Sequence, residues 1–263
     1  MNPPIMDLQV FVPSRSRWQR SLTLEALKGK WPSVALVVPA AQAGQYKALA
    51  ASTGARLLPC PAQGIARTRE WIGQQAKDRF IMLDDDLRFY YRKSFEDPSL
   101  HQFNKHDMAG MLTFVSRLLD YYAHVAVSAR GGNNQLKGFP TVTNKRPLRV
   151  LAYRKKEFLK AQHGRVQIME DFDVTLQLIG MGYQNCVIVQ YAQDQPMTQA
   201  PGGCSDYRTQ ALHETNVRRM AKLHPGIVKL REKANKTGGE FGSRLEATIY
   251  WEKAHAQAME DIL

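Results

Sequence analysis

One stretch, Phe80-Ile81-Met82-Leu83-Asp84-Asp85-Asp86, constrains the fold of this chain more than any other. Four consecutive large apolar residues are typical of a strand covered on both faces, since a strand with one solvated face alternates apolar and polar residues. The three carboxylates fall where open α/β sheets bind ligands, just beyond the carboxyl end of a strand. Mg²⁺ or Mn²⁺ commonly joins one or two such carboxylates to substrate phosphates. The stretch predicts a buried strand with a candidate site at its end, and the alternative is a solvated acidic turn.

Strand-like and helix-like segments alternate around this stretch. Apolar runs predict strands over 8–12, 34–38, 56–58 and 80–83, and helical spacing predicts helices over 18–28, 42–52 and 65–77. This order is typical of βαβ units and predicts an α/β fold with a mostly parallel central sheet flanked by helices. Neither GxGxxG nor GxxxxGK[ST] follows a predicted strand, which excludes the common dinucleotide and P-loop motifs.

The later chain is less regular. Helices are predicted over 107–122, 155–162 and 169–178, and strands over 125–128, 148–153 and 185–191. From position 209 the pattern is helical and strongly basic. We therefore predict one α/β domain over 1–205 and a helical C-terminal extension over 206–263 that packs on the same domain.

The composition of the chain limits which cellular compartment and which partners can be expected. The 263 residues contain three widely spaced cysteines, which form neither a disulfide framework nor a zinc pattern. No apolar run reaches the ~20 residues that a membrane span needs. The N-terminus lacks the basic and apolar regions of a signal peptide. These features predict a cytoplasmic protein with no membrane association, and no obligate protein partner is evident.

The formal charge of +12 indicates an anionic partner such as nucleic acid, nucleotide phosphates or a membrane surface. Basic residues are concentrated over 130–165, where Glu157 is the single acid and the first half is rich in glycine and asparagine. This segment is predicted to contact the phosphate backbone of acceptor DNA, and its alternative role is that of a solubilising loop. The predicted DNA contacts are Arg130, Lys137, Lys145, Arg146 and Arg149.

Two blocks together resemble the GT-A glycosyltransferases, particularly the family-two-like inverting enzymes. The first is Gly64-Ile65-Ala66-Arg67-Thr68-Arg69, followed by a short helix and FIMLDDD; Thr68 stands where many relatives carry Asn. The second is Met169-Glu170-Asp171, followed by a helix that closes with glycine and enters a strand. The tail, with Gly202-Gly203-Cys204-Ser205-Asp206-Tyr207-Arg208 and Leu223-His224-Pro225-Gly226, is similar to phage glycosyltransferases associated with TET-type dioxygenases. A phage-encoded enzyme of that kind would work in the host cytoplasm.

The resemblance implies a Rossmann-related GT-A-like fold and a metal-assisted, inverting transfer from a nucleotide sugar, such as a UDP-sugar, to 5-hydroxymethylcytosine in DNA. Asp171 would be the base, and Glu170 would orient a substrate. A Mn²⁺ or Mg²⁺ ion would be held by Asp86, Asp84 and His224. Gly202 and Gly203 would form the hinge of a lid that brings Arg208 to the diphosphate. The expected donor-binding residues are Pro13, Ser14, Arg15, Arg17, Gly64, Arg67, Asp84, Asp85 and Arg208.

Two other functions fit the same residues. A GT-A enzyme could act on a polysaccharide, lipid or protein acceptor, but the basic segment favours DNA. A degenerate GT-A fold could bind nucleic acid without catalysis, but the intact acids of both blocks favour an enzyme.

Overall fold

The computed structural model describes residues 7–94, 96–97, 99–104, 106–131, 138–195, 203, 208–233 and 244–262. Its strands are β1 (Gln9–Pro13), β2 (Val34–Pro39), β3 (Arg56–Cys60), β4 (Arg79–Leu83), β5 (Arg88–Tyr91), β6 (His101–Gln102), β7 (His124–Ala129), β8 (Thr141–Thr143), β9 (Val150–Arg154), β10 (Asn185–Asp194), β11 (Val228–Lys233) and β12 (Arg244–Ile249). Its α-helices are α1 (Leu22–Leu27), α2 (Lys47–Thr53), α3 (Ile65–Gln75), α4 (Asp107–Leu118), α5 (Lys155–Phe158), α6 (Glu170–Gly180), α7 (Gln210–Leu223) and α8 (Trp251–Ile262).

A mixed ten-stranded sheet runs in the order β3-β2-β1-β4-β9-β7-β10-β5-β6, with β8 beside β10. Strands β1 to β4 pair in parallel, and β9 lies antiparallel between β4 and β7. Strand β10 is parallel to β7, while β5 and β8 are antiparallel to β10. Only β9, β5 and β8 therefore run against the prevailing direction of the described sheet, so the predicted mostly parallel sheet is confirmed.

Strand β4 is covered on both faces, as its unbroken apolar run predicts. Ile81 and Leu83 lie in the core on one face of the sheet. Phe80 and Met82 lie in the core on the other face, where Phe11 of β1 meets Phe80 edge to face. Full burial of a side chain of this size contributes about 1.5–3 kcal/mol, so β4 is an anchored strand at the centre of the sheet.

The carboxyl ends of β1 to β4, β7 and β10 meet at one edge of the sheet, which we call the site edge. Because β9 runs the other way, it starts at the site edge after Arg149 and ends at Arg154 on the opposite edge. Five strand residues span about 17 Å at 3.3 Å per residue. The basic segment over 130–165 is therefore divided between the two edges of the sheet.

The C-terminal unit, described over residues 208–233 and 244–262, contains a two-stranded antiparallel sheet between two helices. The prediction that this extension is helical is therefore wrong for β11 and β12. In β11, Val228 and Leu230 alternate with cations, a period of two that the basic composition obscured. A third core cluster joins α6 to this unit through Phe172, Met220 and Val228. The predicted domain boundary at 205/206 lies outside the described residues.

Other differences from the predicted elements concern the start of α1 and several short strands. Helix α1 begins at Leu22, later than predicted, because the Ser21 hydroxyl accepts a hydrogen bond from Leu24 N and caps the helix there. The short strands β5, β6 and β8 were not predicted. Within the described ranges, no helix has the length and apolar content needed to cross a bilayer.

Candidate active site

The loops that follow β1 and β4 meet at the site edge. Arg17 Nη1 lies 2.8 Å from Asp85 Oδ1 and 2.7 Å from Asp86 Oδ2. The Ser14 hydroxyl donates to Asp85 Oδ2. Burial raises the pKa of Asp85, although Arg17 and Ser14 act against that shift. Because β1 and β4 are parallel neighbours, their loops leave the sheet together, and Arg17 separates two adjacent carboxylates.

Backbone contacts fix the turn that carries the three aspartates. The Ser21 hydroxyl donates to Asp85 O at 2.7 Å, and the Thr23 hydroxyl donates to Asp84 O at 2.5 Å. Asp84 N donates to Arg149 O at 3.1 Å. Arg149 has a φ of 61°, a left-handed conformation that is strained by about 1–2 kcal/mol for a residue with a side chain. Residues at the start of α1 and the residue before β9 therefore hold the backbone of Asp84 and Asp85 in place.

Arg69 connects the aspartates of β4 to the start of α6, and it was not among the predicted site residues. Its Nη1 lies 2.6 Å from Glu170 Oε1 and 3.9 Å from Asp171 Oδ2, and its Nη2 lies 3.1 Å from Asp84 Oδ1. The side chain is buried. The sequence did carry a signal, because position 69 is three residues from both Ala66 and Ile72 on the buried stripe of α3.

The neighbouring Arg67 lies outside the site. Two residues along a helix are separated by about 200°, so Arg67 and Arg69 point in different directions. Arg67 Nη1 lies 2.6 Å from Glu70 Oε2, and its side chain is 56% exposed. Arg67 does not line the large cavity at the site edge. The expectation that Arg67 binds the donor is corrected, and Arg69 is the arginine of this motif that reaches the acids.

Helix α6 presents Glu170 and Asp171 at its first turn. Met169 precedes the helix with a φ of 66°, and it provides no side-chain cap. Asp171 Oδ1 instead accepts a hydrogen bond from Phe172 N at 2.9 Å. The positive end of the helix dipole stabilises ionised carboxylates at this position. Glu170 accepts a short hydrogen bond from Arg69, whereas Asp171 accepts one from Phe172 N at its Oδ1 and has its Oδ2 at a longer 3.9 Å from Arg69 Nη1.

His224 does not lie with the predicted metal ligands. Its Nε2 is 2.7 Å from Asp173 Oδ1, and Arg165 Nη2 is 2.5 Å from the same oxygen. Burial of Asp173 opposes ionisation, but hydrogen bonds from His224 and Arg165 outweigh it and lower the pKa of Asp173. The assignment of His224 to a metal site with Asp84 and Asp86 is corrected. His224 instead connects the end of α7 to α6. His213 is the C-terminal histidine that lines the cavity.

The pKa values of the site acids are shifted because several buried or half-buried carboxylates lie around one arginine, Arg69. Desolvation raises the pKa of Asp84 to about 6 against the attraction of Arg69, and the neighbouring Asp86 and Asp85 add to the rise. Burial also raises the pKa of Glu170, again against Arg69. Burial disfavours the charge of Arg69, but the sum of Glu170, Asp84 and Asp171 outweighs it and raises the pKa of the guanidinium. Arg69 therefore counters the effect of burial and favours the ionised forms of Asp84 and Glu170.

The residues present fit a cation that is shared with a phosphate ligand. Asp86 Oδ1 is buried without a hydrogen-bond partner, while its Oδ2 accepts from Arg17 and, at 2.6 Å, from Gln195 Nε2. Among the described residues, no group of three or more His, Cys, Asp or Glu side chains is arranged around a metal position. A site of one or two carboxylates completed by phosphates and water needs fewer protein ligands.

A cavity of about 1070 Å³ opens at the site edge. The carboxylates after β4 and at the start of α6 both line it, and so do His213 and residues of β12 from the C-terminal unit. Arg67 is the one expected donor-binding residue that does not. The expected donor-binding residues that line the cavity are Pro13, Ser14, Arg15, Arg17, Gly64, Asp84, Asp85 and Arg208.

The predicted DNA contacts do not share one free surface. Arg146 and Arg149 line the cavity. Lys145 Nζ lies 2.6 Å from Glu252 Oε1, and Arg130 Nη1 lies 3.3 Å from Asp194 Oδ2. Lys137 lies outside the described residues. Gly202, which was predicted to form a hinge with Gly203, also lies outside them, and Gly203 N donates to Arg15 O at 3.0 Å.

The class of the protein follows from its match to a known family. Carboxylates from a strand end and a helix start line one large cavity on an α/β sheet, and residues 8–203 match the family model described as TET-Associated Glycosyltransferase. The chain belongs to this glycosyltransferase family. The C-terminal unit lies beyond the matched residues.

Particular relatives come from bacteriophages. The chain is 24% identical over 183 residues to the Beta-glucosyl-HMC-alpha-glucosyl-transferase of Enterobacteria phage T2, and equally to the protein of that name from phage T6. Each alignment covers 64% of this chain and 64% of the relative. Among solved structures, 4-diphosphocytidyl-2C-methyl-D-erythritol synthase from Anaerococcus prevotii has a TM-score of 0.42 at 7% identity, covering 69% of this chain and 87% of that one. Inositol-1-phosphate CTP transferase from T. maritima has a TM-score of 0.41 at 9% identity, covering 83% and 96%.

Proposed function

We propose that this chain transfers a sugar from a nucleotide sugar to a hydroxymethylated cytosine of DNA by a single inverting displacement. The observation that carries the proposal is that Asp84–Asp86 and Glu170–Asp171 line one cavity and are joined by Arg69. Family membership supplies the reaction class, and the phage relatives are named for action on glucosylated HMC. The net charge of +12 is consistent with a DNA acceptor.

In this proposal the donor diphosphate lies beside the loops after β1 and β4. Arg17 is already between Asp85 and Asp86 and is well placed for a charge-assisted contact with a phosphate oxygen. The unpartnered Oδ1 of Asp86, with the partly exposed Asp84, would hold a divalent cation. Such a cation would supply Lewis-acid stabilisation of the leaving diphosphate. Arg69 would keep Asp84 ionised for that role.

Asp171 is the proposed base. The acceptor oxygen attacks the anomeric carbon, its proton passes to an Asp171 carboxylate oxygen, and the bond from that carbon to the phosphate oxygen breaks with its electron pair. Asp171 fits because it lies in the cavity at a helix start and is less engaged than Glu170. Glu170 would position Arg69 and hence the β4 acids.

Changing Asp171→Asn tests the base. General-base catalysis contributes about 10²–10⁴-fold, so transfer to hydroxymethylated DNA should fall by about that factor while donor affinity changes little. Glu170→Gln is the matched control, because glutamine still accepts from Arg69 Nη1, and its loss should be smaller. The reaction is measured with UDP-, GDP- and ADP-sugars and Mn²⁺, on duplexes carrying cytosine, hydroxymethylcytosine or its glucosylated form.

The outcomes separate the alternatives. Normal transfer by the Asp171→Asn protein would remove it as the base. The relatives' name specifies an α-glucosyl product, and from an α-configured donor that product retains configuration, so a retained anomeric centre would exclude the single displacement. A protein that binds DNA but consumes no donor would be a binding protein on this fold.

A further inference from the structure

Strand β11 presents a row of cations on one face. Val228 is buried in the third core cluster, and alternate residues of a strand point to opposite faces. Lys229, Arg231 and Lys233 therefore share the face that points away from this core, and all three are exposed. We call this surface the β11 face.

The acids of the described chain lie apart from the cations of the β11 face. Among the described residues, none of the three lies within 4.0 Å of a carboxylate oxygen. Glu246 is the cross-strand neighbour of Arg231, but it lies 2.6 Å from Arg244 Nε in its own strand. Acids elsewhere pair with Arg130, Lys145 and Arg165. The β11 face is thus an exposed positive surface whose charge no acid of the described residues neutralises.

The β11 face also lies beside the cavity. Strand β12 lines the cavity along Arg244 and from Glu246 to Ile249, and β11 pairs with β12 throughout its length. Neighbouring strands are about 4.8 Å apart, so β11 lies about one strand spacing from the cavity wall. A polyanion bound along β11 would therefore run past the cavity.

We propose that the β11 face docks the phosphate backbone of the duplex that carries the acceptor base. This rests on the proposed function above. The C5 position of a pyrimidine faces the major groove, so a hydroxymethyl group on C5 of cytosine projects into it. That groove, about 12 Å wide, admits a two-stranded β-ribbon. Alternate cations, about 6.6 Å apart, would contact successive phosphates along one groove wall while the neighbouring cavity receives the hydroxyl.

The test compares two triple variants of the full chain. The first is Lys229→Gln, Arg231→Gln and Lys233→Gln. The control is Arg218→Gln, Arg219→Gln and Lys222→Gln, which removes three exposed cations from α7, the helix that packs on the other face of the same hairpin. Binding to an unmodified fluorescent duplex is measured against salt concentration, without donor. Each neutralised phosphate contributes about −0.9 to the log–log slope, so the β11 variant should lose about 2.7 in slope and the control little.

Further measurements separate this docking proposal from the proposed function. The β11 variant should have a raised KM for hydroxymethylated duplex, with normal kcat and normal transfer to the hydroxymethylated nucleoside. A Lys229→Arg, Lys233→Arg protein keeps the charge and should keep the wild-type slope. An unchanged slope in the β11 variant, or an equal loss in the α7 control, would overturn the docking surface even if transfer persists. If the wild-type protein transfers no sugar to DNA or nucleoside, the proposed function fails, whatever the slopes are.

Discussion

The segment over 130–165 and the β11 face are both basic, but they differ in how many of their cations are paired with acids. The segment contains ten cations and one acid, whereas the β11 face has three cations. Yet Arg130, Lys145 and Arg165 are paired with acids 64, 107 and 8 residues away. Strand β9 also carries Arg154, Lys155 and Lys156 to the opposite edge of the sheet. The density of basic residues in the sequence therefore differs from the positive charge that remains exposed after tertiary pairing.

Arg69 provides the largest expected effect, because it is the most buried of the paired cations at the site. Arg69→Ala leaves Asp84 and Glu170 without their cation, which should destabilise the fold by about 3–5 kcal/mol and abolish most transfer. Urea unfolding and transfer rate are measured beside Arg67→Ala, whose exposed pair should change stability by at most about 0.5 kcal/mol.

A milder change keeps this prediction testable if the alanine protein does not fold. Arg69→Lys retains the charge but loses the two-pronged geometry, so it should fold and still transfer sugar more slowly. If Arg69→Ala and Arg67→Ala proteins are equally stable, the buried ion pairs of Arg69 contribute no more to stability than the exposed pair of Arg67.

Asp173 gives the intermediate effect, through the contact that joins the C-terminal unit to α6. Asp173→Asn should lower the free energy of unfolding by about 1–3 kcal/mol, since Arg165 and His224 lose a charged acceptor. The folded pKa of Asp173 is lowered, so this stability is present above its usual value of 3.8 and is lost as pH falls through the folded pKa. The difference between wild type and variant should therefore shrink in acid. A difference that does not vary from pH 7 to pH 3 would contradict the charged contact.

Lys155 marks the smallest expected effect, at the opposite edge of the sheet. Its Nζ donates to two carbonyls at the C-terminal end of α3, Gln74 O at 2.9 Å and, just beyond the helix, Ala76 O at 2.7 Å. Lys155→Met should cost about 0.3–1 kcal/mol of stability. The salt slope of DNA binding should not change, because this end of the basic segment lies away from the site edge. Lys156→Met is the exposed control. If either variant lowers the salt slope of DNA binding, this end of the basic segment contacts DNA after all.

The sequence predicted the parts of the site that depend on local pattern. An unbroken apolar run placed Phe80–Leu83 at the centre of the sheet, and the strand end placed Asp84–Asp86 at its site edge. The positions of Arg69 and His224 were not predicted, since each depends on a partner far along the chain. The hairpin of β11 and β12 was missed because alternation at Val228 and Leu230 is short and lies among cations.

The ion pairs of the site also set an order of events during synthesis. Arg17 bonds a residue 68 positions later, Arg69 one 101 positions later, and Asp86 accepts from one 109 positions later. Contacts so far apart form slowly, because long loops close before the contact stabilises them. A nascent chain that ends before Glu170 holds Arg69 without its second carboxylate, and one that ends before β12 lacks a wall of the cavity. A growing chain therefore cannot form the complete site until most of its length has left the ribosome.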